Sequence, residues 1–114
     1  MAWEVEVSDE FRDWYEDLGL EEQDSVIYSV EVLRQGGPDL GRPHVDAVKG
    51  SRHTNMKELR VQHHGRPFRI LFAFDPRRMA YLILAGDKTG DPRWYETTVP
   101  LADAIYQRHL LEIR

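Results

Sequence analysis

Six cations, Lys49, Lys57, Arg60, Arg66, Arg69 and Lys88, fall in one stretch of the chain that leads into Trp94-Tyr95. That mixture suits single-stranded RNA, whose phosphates need Arg or Lys and whose splayed bases stack on aromatic faces. The same set could cleave RNA without a metal. A ribose 2′-hydroxyl attacks the adjacent phosphate, so one group must take a proton, another must deliver one to the leaving oxygen, and cations must hold the phosphorane's charge. Crowding by like charges favours a lysine's neutral form, which makes Lys57 or Lys88 a candidate for proton transfer. Arg60 and Arg69 would hold the charge, and Tyr95 would stack a base or move a proton. Lys49, His53, Arg66 and Trp94 are the outlying candidates for RNA contact.

Other chemistries find less support. His63 and His64 are adjacent, while His44, His53 and His109 are scattered without ligand spacing, so no metal or other cofactor is expected. The Asp87-Lys88-Thr89-Gly90-Asp91 loop lacks the full calcium-loop pattern. No Gly-rich phosphate loop and no Gly-x-Ser-x-Gly elbow occur. There is no cysteine, hence no disulfide or thiolate site.

The net charge of −5 argues against a nucleic-acid partner, but its distribution does not. Residues 1–41 hold twelve acids against two bases, residues 42–78 nine bases against three acids, and residues 79–114 four bases against five acids. A basic middle behind an acidic start produces a local anion-attracting field despite the acidic total. The 114 residues fit a single domain, 1–114. No apolar run suits a membrane span and no signal-peptide pattern opens the chain, so a cytosolic protein is the simplest expectation.

The elements that must carry these residues are β-rich in the middle. Met56–Gln62 and Phe68–Phe74 read as strands joined at His63-His64-Gly65-Arg66, and Asp75-Pro76-Arg77-Arg78 leads into a third strand, Met79–Ala85. The apolar run Phe68–Phe74 predicts a central strand covered on both faces. A turn centred between His64 and Gly65 pairs residue i with 129 − i, setting Arg60 opposite Arg69. Like charges directly opposed weaken a sheet unless an anion lies between them. In the plainer alternative, each arginine pairs with an acid from the N-terminal helices. Trp3–Val7 alternates as a first strand. Ser8 caps a short helix with Phe11, Trp14, Tyr15 and Leu18 on one face, ending at Gly19. A second helix, about Glu21 to Gln35, has Val26, Ile27, Val30 and Leu33 as its stripe and stops at Gly36-Gly37-Pro38. Asp39–Thr54 reads as a surface loop that delivers Lys49 and His53 to the sheet. Pro100 suits the first position of a last helix, with Leu101, Ala104, Ile105, the Arg108 stem and Leu111 towards the sheet.

The chain resembles the RelE/HigB-type toxins of bacterial type II toxin–antitoxin systems over nearly its whole length. The resemblance rests on Leu59-Arg60-Val61, on Gly65 followed by Phe68-Arg69-Ile70-Leu71-Phe72, on the strand Ala80–Leu84, and on Gly86-Asp87-Lys88 leading to Tyr95. It is similar to the HigB-like branch. The resemblance implies an α+β fold of order β-α-α-β-β-β-α, with a mainly antiparallel twisted sheet, two N-terminal helices packed on it and a C-terminal helix. It implies a ribosome-dependent mRNA endoribonuclease held inactive by a helix-turn-helix antitoxin, touching DNA only through the antitoxin complex. By position, Arg69 matches a transition-state stabiliser, Lys88 a basic residue after the last strand, and Tyr95 a tyrosine that stacks on the substrate base. Two departures stand out. Glu58 occupies the place where RelE has a lysine before the Leu-Arg pair, while Lys57 alternates to the other face. The acidic/histidine ending of some HigB proteins is absent. A ParE-like gyrase inhibitor without nuclease activity and a non-toxic interaction module are the alternatives.

Overall fold

The computed structural model describes residues 2–114. Its centre is a five-stranded sheet of order β1-β5-β4-β3-β2: β1 Val5–Val7, β2 Val45–Ala47, β3 Lys57–His63, β4 Arg66–Phe74 and β5 Ala80–Asp87. Only the β1–β5 pair is parallel. Helices α1, Asp9–Glu16, and α2, Leu20–Gly36, cover one face, and α3, Trp94–Glu112, covers the other.

Alternation along the central strand explains the two cores. Phe68, Ile70 and Phe72 of β4 pack with Leu59, Val61 and Leu82 against Phe11, Val26 and Leu33. Leu71 and Ala73 pack with Tyr81 and Ile83 against Val99, Ala102, Ile105 and Tyr106. The Phe68–Phe74 run is therefore buried from both sides, as its composition predicts. The β3–β4 register also follows the hairpin. His64 and Gly65 both have positive φ, 45° and 78°, the conformation of a two-residue type I′ turn, and Arg60 lies opposite Arg69.

One irregularity sets the direction of β5. The β4–β5 register shifts between Leu71 and Phe72, which pair with Leu84 and Leu82 and leave Ile83 as an extra residue. Ile83 and Leu84 thus both face α3. A bulge of this kind reverses the alternation beyond it, so Gly86 and Lys88 point to the α3 side.

Four expectations need correction. A short edge strand, β2, lies within the segment read as a surface loop; its side chains give it one buried anchor, Val45, too little for a pattern to register. Helix α3 starts at Trp94, not at Pro100, because the buried Trp94 docks on the sheet one turn and a half earlier. Its inward face carries Ala102, Asp103, Ile105, Tyr106 and His109, while Leu101, Ala104, Arg108 and Leu111 are exposed. Two of those inward groups are polar: Asp103 accepts from Ser51 Oγ and the Arg52 N–H, and His109 Nε2 lies 2.9 Å from Asp75. A purely apolar stripe therefore points to the wrong face. On α2, Ile27 is also exposed. Among the described residues no helix is long and apolar enough to cross a membrane.

Candidate functional site

On the α3 side of the sheet, Glu58 is buried among cations. It shares strand parity with Arg60, two residues on, and the hairpin sets Arg69 opposite Arg60. Arg69 Nε lies 3.5 Å and Arg60 Nε 3.8 Å from Glu58 Oε2, beyond hydrogen-bond reach. Both Nε atoms are buried and lack a hydrogen-bond acceptor. The outer ends of the two guanidiniums are better served: Arg60 Nη2 donates to Asp46 Oδ2 at 3.1 Å and Arg69 Nη1 to the Phe68 carbonyl at 3.0 Å. Asp46 also receives Arg42, and the hydrogen bonds from Arg42 and the Ala47 N–H hold it below the usual carboxylate range.

Tyr95 closes the cluster from the first turn of α3. Its hydroxyl lies 2.6 and 2.8 Å from the two Glu58 oxygens. Burial, then the hydrogen bond to Glu58 and that carboxylate's charge, push the phenol up to about 12, with Arg69 opposing. Lys88 Nζ sits 5.1 Å from the centre of the Tyr95 ring, a cation–π approach made from the end of β5. Trp94 sets this geometry from below: a Cβ on Gly86 would come within 2.8 Å of Trp94 Nε1, so only glycine lets the helix start so close to β5.

The structure thus brings Arg60, Arg69 and Tyr95 together around Glu58, with Lys88 beside them over the Tyr95 ring. The other candidates lie elsewhere. Lys57, the other candidate for proton transfer, points to the opposite face, as strand alternation implies, and donates to the Pro38 carbonyl at 3.1 Å. Arg66, on that same opposite face, binds Glu22, lies 3.7 Å from Asp87, and stands over the Phe68 ring. Trp94 is 7% exposed and is a core residue rather than a stacking surface for bases. His53 packs edge-on against Tyr106, and Lys49 lies in the β2–β3 connection.

Glu58 and Asp46 are the groups that sequence reasoning underweighted. The acids that neutralise the arginine pair come from β3 and β2, not from the N-terminal helices. The signal available was the i, i+2 spacing of Glu58 and Arg60; Asp46 had none, because its strand was unrecognised.

Comparison with known proteins gives the family. The family model described as phage-derived protein Gp49-like matches residues 13–107. HigB2 of Mycobacterium tuberculosis (strain ATCC 25618 / H37Rv), described as a toxin candidate, is 43% identical over 114 residues, which cover 98% of this chain and 56% of that protein. HigB3 of the same strain, described in the same way, is 48% identical over 91 residues, 79% of this chain and 78% of that protein. The chain spans about half the length of the first of these relatives and most of the second. Among solved structures, free E. coli toxin RelE with two arginines replaced by alanine matches with a TM-score of 0.55 over 100% of both chains at 9% identity, a likeness of fold alone. This chain belongs to the Gp49-like family, of the HigB/RelE type, and has the RelE-like fold.

Proposed function

We propose that this chain is the toxin of a toxin–antitoxin pair and that it cleaves mRNA on the ribosome without a metal, using the α3 face of its sheet. The observation that carries this reading is the acceptor shortage at Arg60 and Arg69. Two guanidiniums face each other across a hydrogen-bonded strand pair, each with a buried Nε that lacks an acceptor. An unsatisfied buried donor costs roughly 1–3 kcal/mol, and a phosphodiester's oxygens would supply the missing acceptors.

The chemistry follows from the neighbours. Glu58, and not Lys57, takes the 2′-hydroxyl proton in this reading. The freed O2′ attacks the phosphorus, Arg60 and Arg69 hold the developing charge, and the bond to the 5′-oxygen breaks as Lys88 delivers a proton to it. The products are a 2′,3′-cyclic phosphate and a 5′-hydroxyl. Tyr95, with its phenol pushed up to about 12, stays protonated at neutral pH and serves as a hydrogen-bond donor and stacking face, not as a base. Its hydroxyl occupies both Glu58 oxygens, so substrate must displace it before the carboxylate can act. The relatives' toxin designation supports the toxin part of this reading and makes a cognate antitoxin the expected partner; the family resemblance implies one of the helix-turn-helix kind.

Induced expression followed by mapping of mRNA 5′ ends tests it. The expected result is in-frame cuts with 5′-hydroxyl ends that disappear with Arg69→Ala. Intact messages, or cuts that Arg69→Ala retains, would sink it. Neutralisation of both arginines by Glu58 and Asp46 favours one second reading, a ParE-like gyrase inhibitor in which the pair is purely structural. Supercoiling inhibition with intact mRNA would select that reading.

A further inference from the structure

The β3–β4 turn carries two adjacent histidines that the cleavage chemistry does not use. Their spacing alone suggests no metal site, because a third ligand is missing from the sequence neighbourhood. The fold supplies it. The N-terminal turn of α2 brings Glu21 against the hairpin, and one ligand atom each of Glu21, His63 and His64 lies within 4.8 Å of the other two. We propose that Glu21, His63 and His64 form a binding site for a transition-metal ion of the Zn²⁺ class, on the face of the sheet opposite Arg69.

The geometry is close to what such an ion requires. Zinc bonds to imidazole nitrogen and carboxylate oxygen of about 2.0–2.1 Å put tetrahedral ligands about 3.4 Å apart. Glu21 Oε2 and His64 Nε2 are already 3.7 Å apart. Both side chains are largely solvent-exposed, at 84% and 76%, so they can close the remaining distance by rotation without disturbing the core. His63 is the fixed member: it is buried, its ring lies parallel to Phe68, and its Nδ1 is 2.7 Å from Ser25 Oγ. A hydrogen bond of that kind orients a ligating ring. Asp24 and Gln62 line the same surface depression and add a carboxylate beside the ligands, while Arg66, the cross-strand partner of His63, is engaged by Glu22.

The donor set also selects the ion. Two imidazoles and one carboxylate suit Zn²⁺, Ni²⁺ or Cu²⁺, whereas Mg²⁺ and Ca²⁺ prefer an all-oxygen shell. Three protein ligands leave a fourth position for water or for a side chain of a partner. An ion here would tie α2 to the hairpin whose strands carry Arg60 and Arg69, stiffening it from the far side.

The test is equilibrium dialysis of the untagged full chain against Zn²⁺ alone, with Mg²⁺ as the control. One equivalent of Zn²⁺ is expected on the wild type, no Mg²⁺, and at least tenfold weaker Zn²⁺ binding by Glu21→Gln and by His64→Ala. Because those two side chains are exposed, both variants should keep the wild-type circular dichroism and Tm in metal-free buffer, and only the wild type should gain Tm on adding Zn²⁺. Binding well below one equivalent by the wild type, or equal binding by His64→Ala, would overturn the site. Neither result depends on whether the chain cleaves RNA.

Discussion

The two faces of the β3–β4 ribbon use cations in opposite ways. On the α1/α2 face, Lys57 is bound to the Pro38 carbonyl, and Arg66 is held by Glu22, by Asp87 and by the Phe68 ring. Those groups are anchors between layers. On the α3 face, Arg60 and Arg69 crowd one buried carboxylate and still leave two buried donors without acceptors. The difference arises from a single step of strand alternation, since Lys57 and Glu58 are neighbours in the chain. It teaches that a basic segment is not itself a site. What marks a site is a surplus of donors over acceptors on one side of the sheet.

The contrast can be broken most decisively at Glu58. Glu58→Gln keeps the shape and a hydrogen bond to Tyr95 but removes the proposed proton acceptor, so single-turnover mRNA cleavage should fall ~10²–10⁴-fold. Cleavage at the wild-type rate would place the base elsewhere. Next in size is Gly86→Ala, whose new Cβ would press on Trp94 and shift the first turn of α3, Tyr95 included. A cost of about 1–3 kcal/mol in chemical denaturation is expected from this overpacking, with cleavage reduced as well. On the anchoring face, Arg66→Ala should cost only ~0.5–1 kcal/mol, the range of a partly exposed ion pair, and should leave the cleavage rate unchanged.

The smallest effect is a pH dependence. The Tyr95 phenol is raised from 10.0 to about 12 in the folded chain, so the neutral form is the one folding favours. That stabilisation is complete below pH 10 and is lost as pH rises towards 12. Wild type should therefore lose stability relative to Tyr95→Phe as pH rises from 10 to 12, and the difference between the two should be constant below pH 10. Subtracting the two removes the contributions of Tyr81 and Tyr106, which burial also raises.

Much of this architecture could be read from local rules. The hairpin register followed from a turn that needs positive φ at His64 and Gly65, and the central strand from an apolar run broken only by Arg69. The α3 boundary was hidden by Pro100, which marks a helix start in isolation. Inside the helix it removes the hydrogen bond to the Glu96 carbonyl and crowds that group, a cost that the packing of Trp94 offsets. The side to which Lys88 points was equally hidden, because the extra residue at Ile83 resets alternation through pairing and not through any residue type. The arginine pair was visible; the carboxylate that organises it was visible as a residue but not as a partner. Glu21 could not be joined to His63 and His64 without the fold, since the three meet only when α2 packs on the sheet.

The most direct measurement compares Arg69→Ala with Lys57→Ala in single-turnover mRNA cleavage on purified programmed ribosomes. Arg69→Ala should lose ~10²–10³-fold, the scale for removing a donor to transition-state charge, and Lys57→Ala should change the rate by less than about threefold. Equal losses from the two variants, or a larger loss from Lys57→Ala, would contradict the assignment of the chemistry to the α3 face.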